Sequence, residues 1–123
     1  MKLRLRGNSV RLRVNQREVA ALAAGRALSE GVRFPAGNSF IYTLEPFPAS
    51  APEASFRDGV ICVKVPDSTL RDWASNDSIG LYFDISGRGS ILKITIEKDL
   101  ECVNEPVEER DPYAYPRDKD SHC

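Results

Sequence analysis

The sequence contains little of the amino-acid chemistry that most catalytic and metal sites use. It has one histidine and three cysteines in 123 residues. An odd number of cysteines without CxxC spacing predicts neither a disulfide framework nor a four-cysteine zinc site. The motifs GxGxxG and HExxH, phosphate-binding glycine loops and nucleophile elbows do not occur in it. The sequence therefore favours a protein without catalytic activity.

Long apolar runs do not occur in the sequence either. No run approaches the roughly 18 residues that a membrane span needs, and the basic N-terminus alternates with Leu and Val where a signal peptide is continuously apolar. The net charge is -1, so a general attraction to nucleic acid or to an anionic membrane is not expected. We expect a cytoplasmic protein without a membrane partner.

The charges that are present are unevenly distributed. Residues 1–33 carry eight Lys or Arg and two Glu, whereas residues 97–123 carry nine Asp or Glu and four Lys or Arg. Such an asymmetry fits two partners of opposite charge, or an acidic tail that lies across the basic strands of its own chain or of a sister subunit. We favour the explanation in which the acidic tail covers the basic strands, because the total charge is close to zero. The tail could belong to the same chain or, in a homo-oligomer, to a sister subunit.

The N-terminal third predicts two strands and a helix. Residues 2–6 and 10–14 alternate apolar and basic side chains with the period of strands that have one buried face, and residues 7–9 form the turn. Asn15 and Glu18 have the spacing of a capping box. A helix should therefore begin near Gln16 and end at Gly25, which suits the left-handed terminating position.

The rest of the chain predicts three more hairpins and a second helix. Their turns fall at residues 35–38, 57–59 and 86–89, which are rich in Gly, Asn and Asp. The proline-rich residues 46–52 predict an irregular surface connection. After Pro66, Asp67 or Ser68 is expected to cap the second helix, with Trp73 in the core.

These elements predict an α+β fold. About eight strands in successive hairpins form a mostly antiparallel sheet or a partly open barrel, together with two short helices. Residues 1–100 are expected to form a single domain, and residues 101–123 an acidic, irregular tail. The sequence shows no internal repeat.

The first hairpin is the leading candidate for a binding site. Alternation places Arg4, Arg6, Arg11 and Arg13 along one face, and guanidinium groups bind carboxylates and phosphates bidentately. The hairpin lacks interleaved aromatic residues, which disfavours a nucleic-acid reader. The leading hypothesis is a non-enzymatic interaction module whose basic hairpin meets an acidic segment, either its own tail or a partner protein. An anion or nucleic-acid binder is a further alternative.

An enzyme hypothesis uses the same charges. If these arginines pointed into a closed barrel with Lys64, Lys93 and Glu97, the protein would resemble the triphosphate tunnel enzymes. Those enzymes carry an acidic Glu-x-Glu-x-Lys strand near the N-terminus, whereas the corresponding strand here is wholly basic. The acidic metal ligands would then be missing.

A small metal-binding protein is the competing hypothesis. Cys102, His122 and Cys123 offer thiolate and imidazole ligands suited to zinc. Glu97 and Asp99 could assist, since alternation places them on one face of the last strand. No other cofactor is expected. Cys62, within an apolar strand, is expected to be a small core residue.

Two segments resemble a known family. The opening MKLRLRGNSVRLR and the segment IEKDLEC, residues 96–102, are similar to those of a family of small bacterial proteins of unknown function. The chain departs from that pattern at Leu100, where the family usually has an aromatic residue. The resemblance implies a bacterial, cytoplasmic, single-domain protein and supplies no catalytic residues.

Overall fold

The computed structural model describes residues 1–100 and 111–116 of the chain. The elements follow in the order β1 (Lys2–Leu5), β2 (Ser9–Val14), α1 (Gln16–Ala23), β3 (Leu28–Arg33), β4 (Ser39–Phe47), β5 (Glu53–Arg57), β6 (Val60–Pro66), α2 (Asp67–Ser75), β7 (Gly80–Gly87) and β8 (Ser90–Lys98). These eight strands and two short helices confirm the predicted α+β class. Within this part of the chain, no helix is long and apolar enough to cross a membrane.

The strands form two four-stranded mixed sheets. Sheet A has the order β1-β2-β8-β7, and sheet B has the order β3-β4-β6-β5. In each sheet the outer pairs are antiparallel hairpins, which confirms the predicted hairpins. The two central strands of each sheet run parallel. This pairing joins hairpins that are distant in sequence, and local sequence patterns did not predict it. The described strands do not close into a barrel, so they form no tunnel of the kind that the enzyme hypothesis requires.

The topology repeats along the chain even though the sequence does not. The order β1-β2-α1-β3-β4 recurs as β5-β6-α2-β7-β8, and each half contributes one hairpin to each sheet. Buried positions correspond between the halves: Leu12 of β2 matches Val63 of β6, and Leu22 of α1 matches Trp73 of α2. Matched residues share apolar character but little identity, which is why the repeat is not visible in the sequence.

One cluster of buried side chains joins both sheets and both helices. Leu12, Leu44, Val63 and Ile96 are completely buried, and each such side chain stabilises the fold by about 1.5–3 kcal/mol. The helices follow directly from the ends of β2 and β6 and contact each other. Trp73 is 1% exposed, which confirms its predicted place in the core.

The start of α1 is as predicted, whereas the start of α2 is not. The Asn15 side chain accepts a hydrogen bond from the Glu18 amide, and Glu18 Oε1 accepts one from the Asn15 amide at 3.0 Å. Gly25 follows α1 with φ of +85°. In α2 the capping position is Pro66, which forms no side-chain cap, so the predicted cap at Asp67 or Ser68 is wrong. Proline is tolerated there because its ring fixes φ at about -65°, close to the -53° that Pro66 adopts.

The predicted irregular segment begins too early. Strand β4 continues through Pro46 to Phe47, with Pro46 opposite Val65 of β6. A proline is tolerated here because the pairing of β4 with β3 stops at Leu44, so the missing N–H costs no hydrogen bond to β3.

Candidate anion-binding face

The outer face of sheet A brings the predicted arginines together. In β1 and β2, Leu3 and Leu12 pack toward the core, so the alternate residues point outward. Strand register aligns Arg4 with Arg11, Arg11 with Thr95 of β8, and Thr95 with Tyr82 of β7. A second row contains Lys2, Arg13, Glu97 and Gly80. We call this surface the basic face.

A groove of about 200 Å³ lies in the basic face. It is lined by Arg4, Arg6, Ser9, Arg11, Lys93 and Thr95. Of its four cations, only Arg11 forms an ion pair with another described residue, through its Nε at 3.0 Å from Glu97 Oε1. Two carboxylates adjoin these four cations: Glu97, and Asp84, which is aligned with Lys93 but forms no ion pair with it in the described structure. The groove therefore keeps an excess of guanidinium and ammonium donors, an arrangement that attracts an anion.

The acidic end of β8 contacts the first hairpin directly. Glu97 pairs with Arg11, and Asp99, which is buried, pairs with Lys2 at 2.9 Å. Lys98 points the other way, into the structure: its Nζ donates a hydrogen bond to the Asn76 carbonyl and lies 5.3 Å from the centre of the Trp73 ring. Glu97 and Asp99 thus lie on one face and Lys98 on the other, as the alternation predicts, and both carboxylates face cations of their own chain.

The described part of the tail lies on the first turn of α1. The Gln16 amide donates a hydrogen bond to the Tyr113 carbonyl at 2.9 Å, and Asn15 Nδ2 donates one to Asp111 Oδ2 at 2.8 Å. The Arg17 guanidinium stacks 4.8 Å from the centre of the Tyr113 ring. Burial raises the pKa of Asp111, but hydrogen bonds from Asn15 and from the Tyr113 amide outweigh it and hold the pKa below its usual value.

This part of the tail does not occupy the basic groove. Residues 111–116 form no ion pair with Arg4, Arg6, Arg11 or Arg13 in the described structure. The acidic residues in 101–110 and 117–123 lie outside the described residues. A contact between those residues and the groove stays a prediction.

The proposed metal ligands Cys102, His122 and Cys123 also lie outside the described residues. In residues 1–100 and 111–116, no group of three His, Cys, Asp or Glu side chains could hold a metal ion. Cys62 is described, and its predicted core position is wrong. It is only partly buried on the outer face of sheet B, and its thiol donates a hydrogen bond to Glu45 Oε2 at 3.2 Å. Burial raises the pKa of this thiol, which disfavours the reactive thiolate.

Sequence reasoning placed one member of the basic face in the wrong setting and missed another. Lys93 was grouped with the arginines only in the tunnel hypothesis, whereas it completes the groove on an open face. Tyr82, which is 68% exposed, supplies an aromatic ring on this face that the sequence did not predict. The alternation within β7 and β8 gives each residue a face, but only the parallel pairing of β2 with β8 joins those strands to the arginines. That pairing links residues far apart in sequence and leaves no local signal.

A comparison with protein-family models matches residues 1–119 to a family of unknown function (DUF7009). The chain belongs to this family. The match confirms the resemblance of the opening and of the IEKDLEC segment to a family without an assigned activity. No match was found among curated proteins or among solved structures.

Proposed function

We propose that this chain is a non-enzymatic binding module whose basic groove binds an acidic segment of a partner protein. The observation that carries the proposal is the placement of Arg4, Arg6 and Lys93 around one groove, with no ion pair to another described residue. Strands β1 and β8 hold the backbone of Arg4 and Lys93, and Arg6 directly follows β1, so fewer degrees of freedom are lost on binding than in a flexible basic tail. Glu and Asp side chains fit because arginine forks bind carboxylates with two hydrogen bonds.

A protein partner is favoured over nucleic acid for two reasons. The whole chain has a net charge of -1, so long-range attraction to a polyanion is weak. Readers of single strands combine cations with several stacking rings, whereas the basic face of the described structure offers Tyr82 alone.

Fluorescence anisotropy with a labelled, short Glu-rich peptide tests the proposal. We expect saturable binding that weakens as salt increases. The double variant Arg4→Gln with Lys93→Gln should weaken it about tenfold, since it removes two charge-assisted contacts. The double variant Arg26→Gln with Arg71→Gln is the matched control, because it removes the same charge from exposed positions outside the groove.

Three results would contradict the proposal. One is equal weakening by both double variants, which would indicate net charge rather than a site. Another is peptide binding that neither variant changes. The third is much tighter binding of a single-stranded oligonucleotide than of the peptide at physiological salt, which would favour the nucleic-acid alternative.

A further inference from the structure

A second site lies between the two sheets, in a place that the basic groove does not reach. An apolar cavity of about 370 Å³ opens there. It is lined by Leu5, Val10, Phe40, Ala54, Ser55, Phe56, Ile61, Val63, Leu92 and Ile94. Ser55 is opposite Cys62 in the register, so its hydroxyl lies on the outer face of sheet B, and the side chains that face the cavity are apolar. Cavities of this size, mostly apolar with few polar groups, are typical of small-molecule sites.

Among the described residues, the core is covered at one end, and the cavity lies toward the other. The helices cover the end where β2 and β6 finish, and there Val14 and Val65 are completely buried. Toward the other end, exposure rises steeply: Leu5 is 55% and Phe56 is 65% exposed. The lining residues come from all four hairpins and lie near their turns, so we call this end the turn end.

Arginines surround the turn end. Each of the four hairpin turns carries one exposed arginine at or beside it, namely Arg6, Arg33, Arg57 and Arg88. Asp58 is the acidic residue in these turns. Arg6 also lines the basic groove, and the other three belong to the turn end alone. An apolar cavity at an end of the fold that carries an excess of cations complements a ligand with an apolar body and an anionic head.

We propose that the cavity binds a linear, medium-chain carboxylate, with the hydrocarbon chain between the sheets and the carboxylate at the arginine rim. A volume of about 370 Å³ holds about twelve groups of methylene size at on the order of 30 Å³ each. The rings of Phe40 and Phe56, with centres 6.4 Å apart, form one wall. Arg57 directly follows Phe56 at the end of the same edge strand, beside the β5-β6 turn, and is the cation nearest in sequence to this wall.

Calorimetry with a series of saturated carboxylates, each below its micelle concentration, tests the site. Each added methylene should tighten binding about fourfold while it is still buried. The gain should stop near about twelve carbons, when the cavity is full. The alcohol of equal length should bind more weakly than the carboxylate. Arg57→Gln should reduce this difference in affinity, whereas the control Arg26→Gln should leave it unchanged.

Two variants place the ligand in the cavity. Ala54→Phe fills the space and should abolish binding, and its folding is checked by thermal unfolding. Phe56→Ala changes a side chain that is already mostly exposed, so it should fold normally and still weaken binding about tenfold or more.

Affinity that does not depend on chain length, or that both variants leave unchanged, would overturn the proposal. Binding to anionic vesicles with no binding of the monomeric carboxylates would overturn it as well, because the exposed apolar residues of the turn end would then dock on a lipid surface. The Arg4→Gln with Lys93→Gln variant should keep carboxylate binding, so this site and the basic groove are tested separately.

Discussion

The α-ammonium group of Met1 lies 2.5 Å from Glu18 Oε2. The other oxygen of Glu18 accepts a hydrogen bond from the Asn15 amide, which completes the capping box of α1. One carboxylate therefore holds both the start of the first helix and the start of the chain. Glu30 makes a longer, more exposed contact with the same ammonium group at 3.3 Å.

This relationship predicts a loss of stability at alkaline pH. Burial lowers the pKa of the Met1 ammonium group, but the hydrogen bond and charge of Glu18, together with Glu30, outweigh it and hold the pKa above its usual value. The contact therefore stabilises the fold fully below the unfolded pKa of about 8 and is lost as the pH rises through the folded pKa. We expect a loss of about 0.5–1 kcal/mol, measured by urea unfolding over that range.

Glu18→Gln and Glu30→Gln provide the comparison. Glu18→Gln can retain the capping hydrogen bond but loses the ion pair, so its alkaline loss should be smaller than that of the unsubstituted protein. Glu30→Gln should behave almost like the unsubstituted protein, because its contact is long and half exposed. If Glu18→Gln shows the same alkaline loss, another group is responsible for the pH dependence.

Gly59→Ala should destabilise the protein more than Gly89→Ala. Both glycines have positive φ, +77° and +80°, which costs an alanine about 1–2 kcal/mol. At Gly59 a Cβ atom would also lie 2.8 Å from the Ser39 carbonyl oxygen, whereas at Gly89 the space is open. We expect about 1 kcal/mol more loss at Gly59, measured by denaturant unfolding. Equal losses would show that the β5-β6 turn moves away from β4 at little cost.

Two substitutions of Asn15 separate helix capping from tail docking. Asn15→Ala removes the cap and the hydrogen bond to Asp111 and should cost about 1–2 kcal/mol. Asn15→Ser keeps a capping oxygen and should cost only about 0.5 kcal/mol. Hydrogen exchange of the Gln16 amide, which donates to Tyr113, should speed up in both variants if Asp111 fixes this part of the tail. Unchanged exchange in Asn15→Ser would indicate that Tyr113 docks independently of Asp111.

The binding-module proposal predicts a protein without bound metal in stoichiometric amount. Elemental analysis of reduced protein, purified without a histidine tag, should find well under one zinc per chain. About one zinc per chain that is lost in Cys102→Ser would instead favour the metal hypothesis with Cys102, His122 and Cys123. Cys62→Ser is the matched control, because that thiol already donates to Glu45 on sheet B.

Local signals predicted most of the secondary structure, and non-local contacts account for what they missed. The capping box at Asn15 and the Asp58-Gly59 turn, where both residues have positive φ, depend on neighbouring residues and were predicted from them. The parallel pairing of β2 with β8 depends on residues far apart in the chain. The prediction for Pro46 was wrong because a proline is excluded from a strand only where a neighbouring strand needs its N–H. Here β3 begins at Leu28, opposite Leu44, and does not extend beside Pro46.

For the candidate site too, local patterns predicted one part, and contacts between distant strands determined the rest. Alternation alone placed Arg4 and Arg11 on one face, since each strand has a buried and an open side. Lys93 and Tyr82 joined that face through the register of strands that are distant in sequence. The prediction for Cys62 was wrong because a continuous apolar run does not show which of its residues face the core. Ile61 and Val63 face the core, so the thiol between them faces outward.

The exchange of hairpins between the two halves has a consequence for the order of events during synthesis. Ser9 in β2 pairs with Lys93 in β8, and sheet B likewise combines hairpins from both halves. The first hairpin is made early, but its parallel neighbour is the last of the described strands to leave the ribosome. Sheet A is therefore completed only after Lys98 has been synthesised, and until then the edge of β2 that β8 occupies has no partner strand from this sheet.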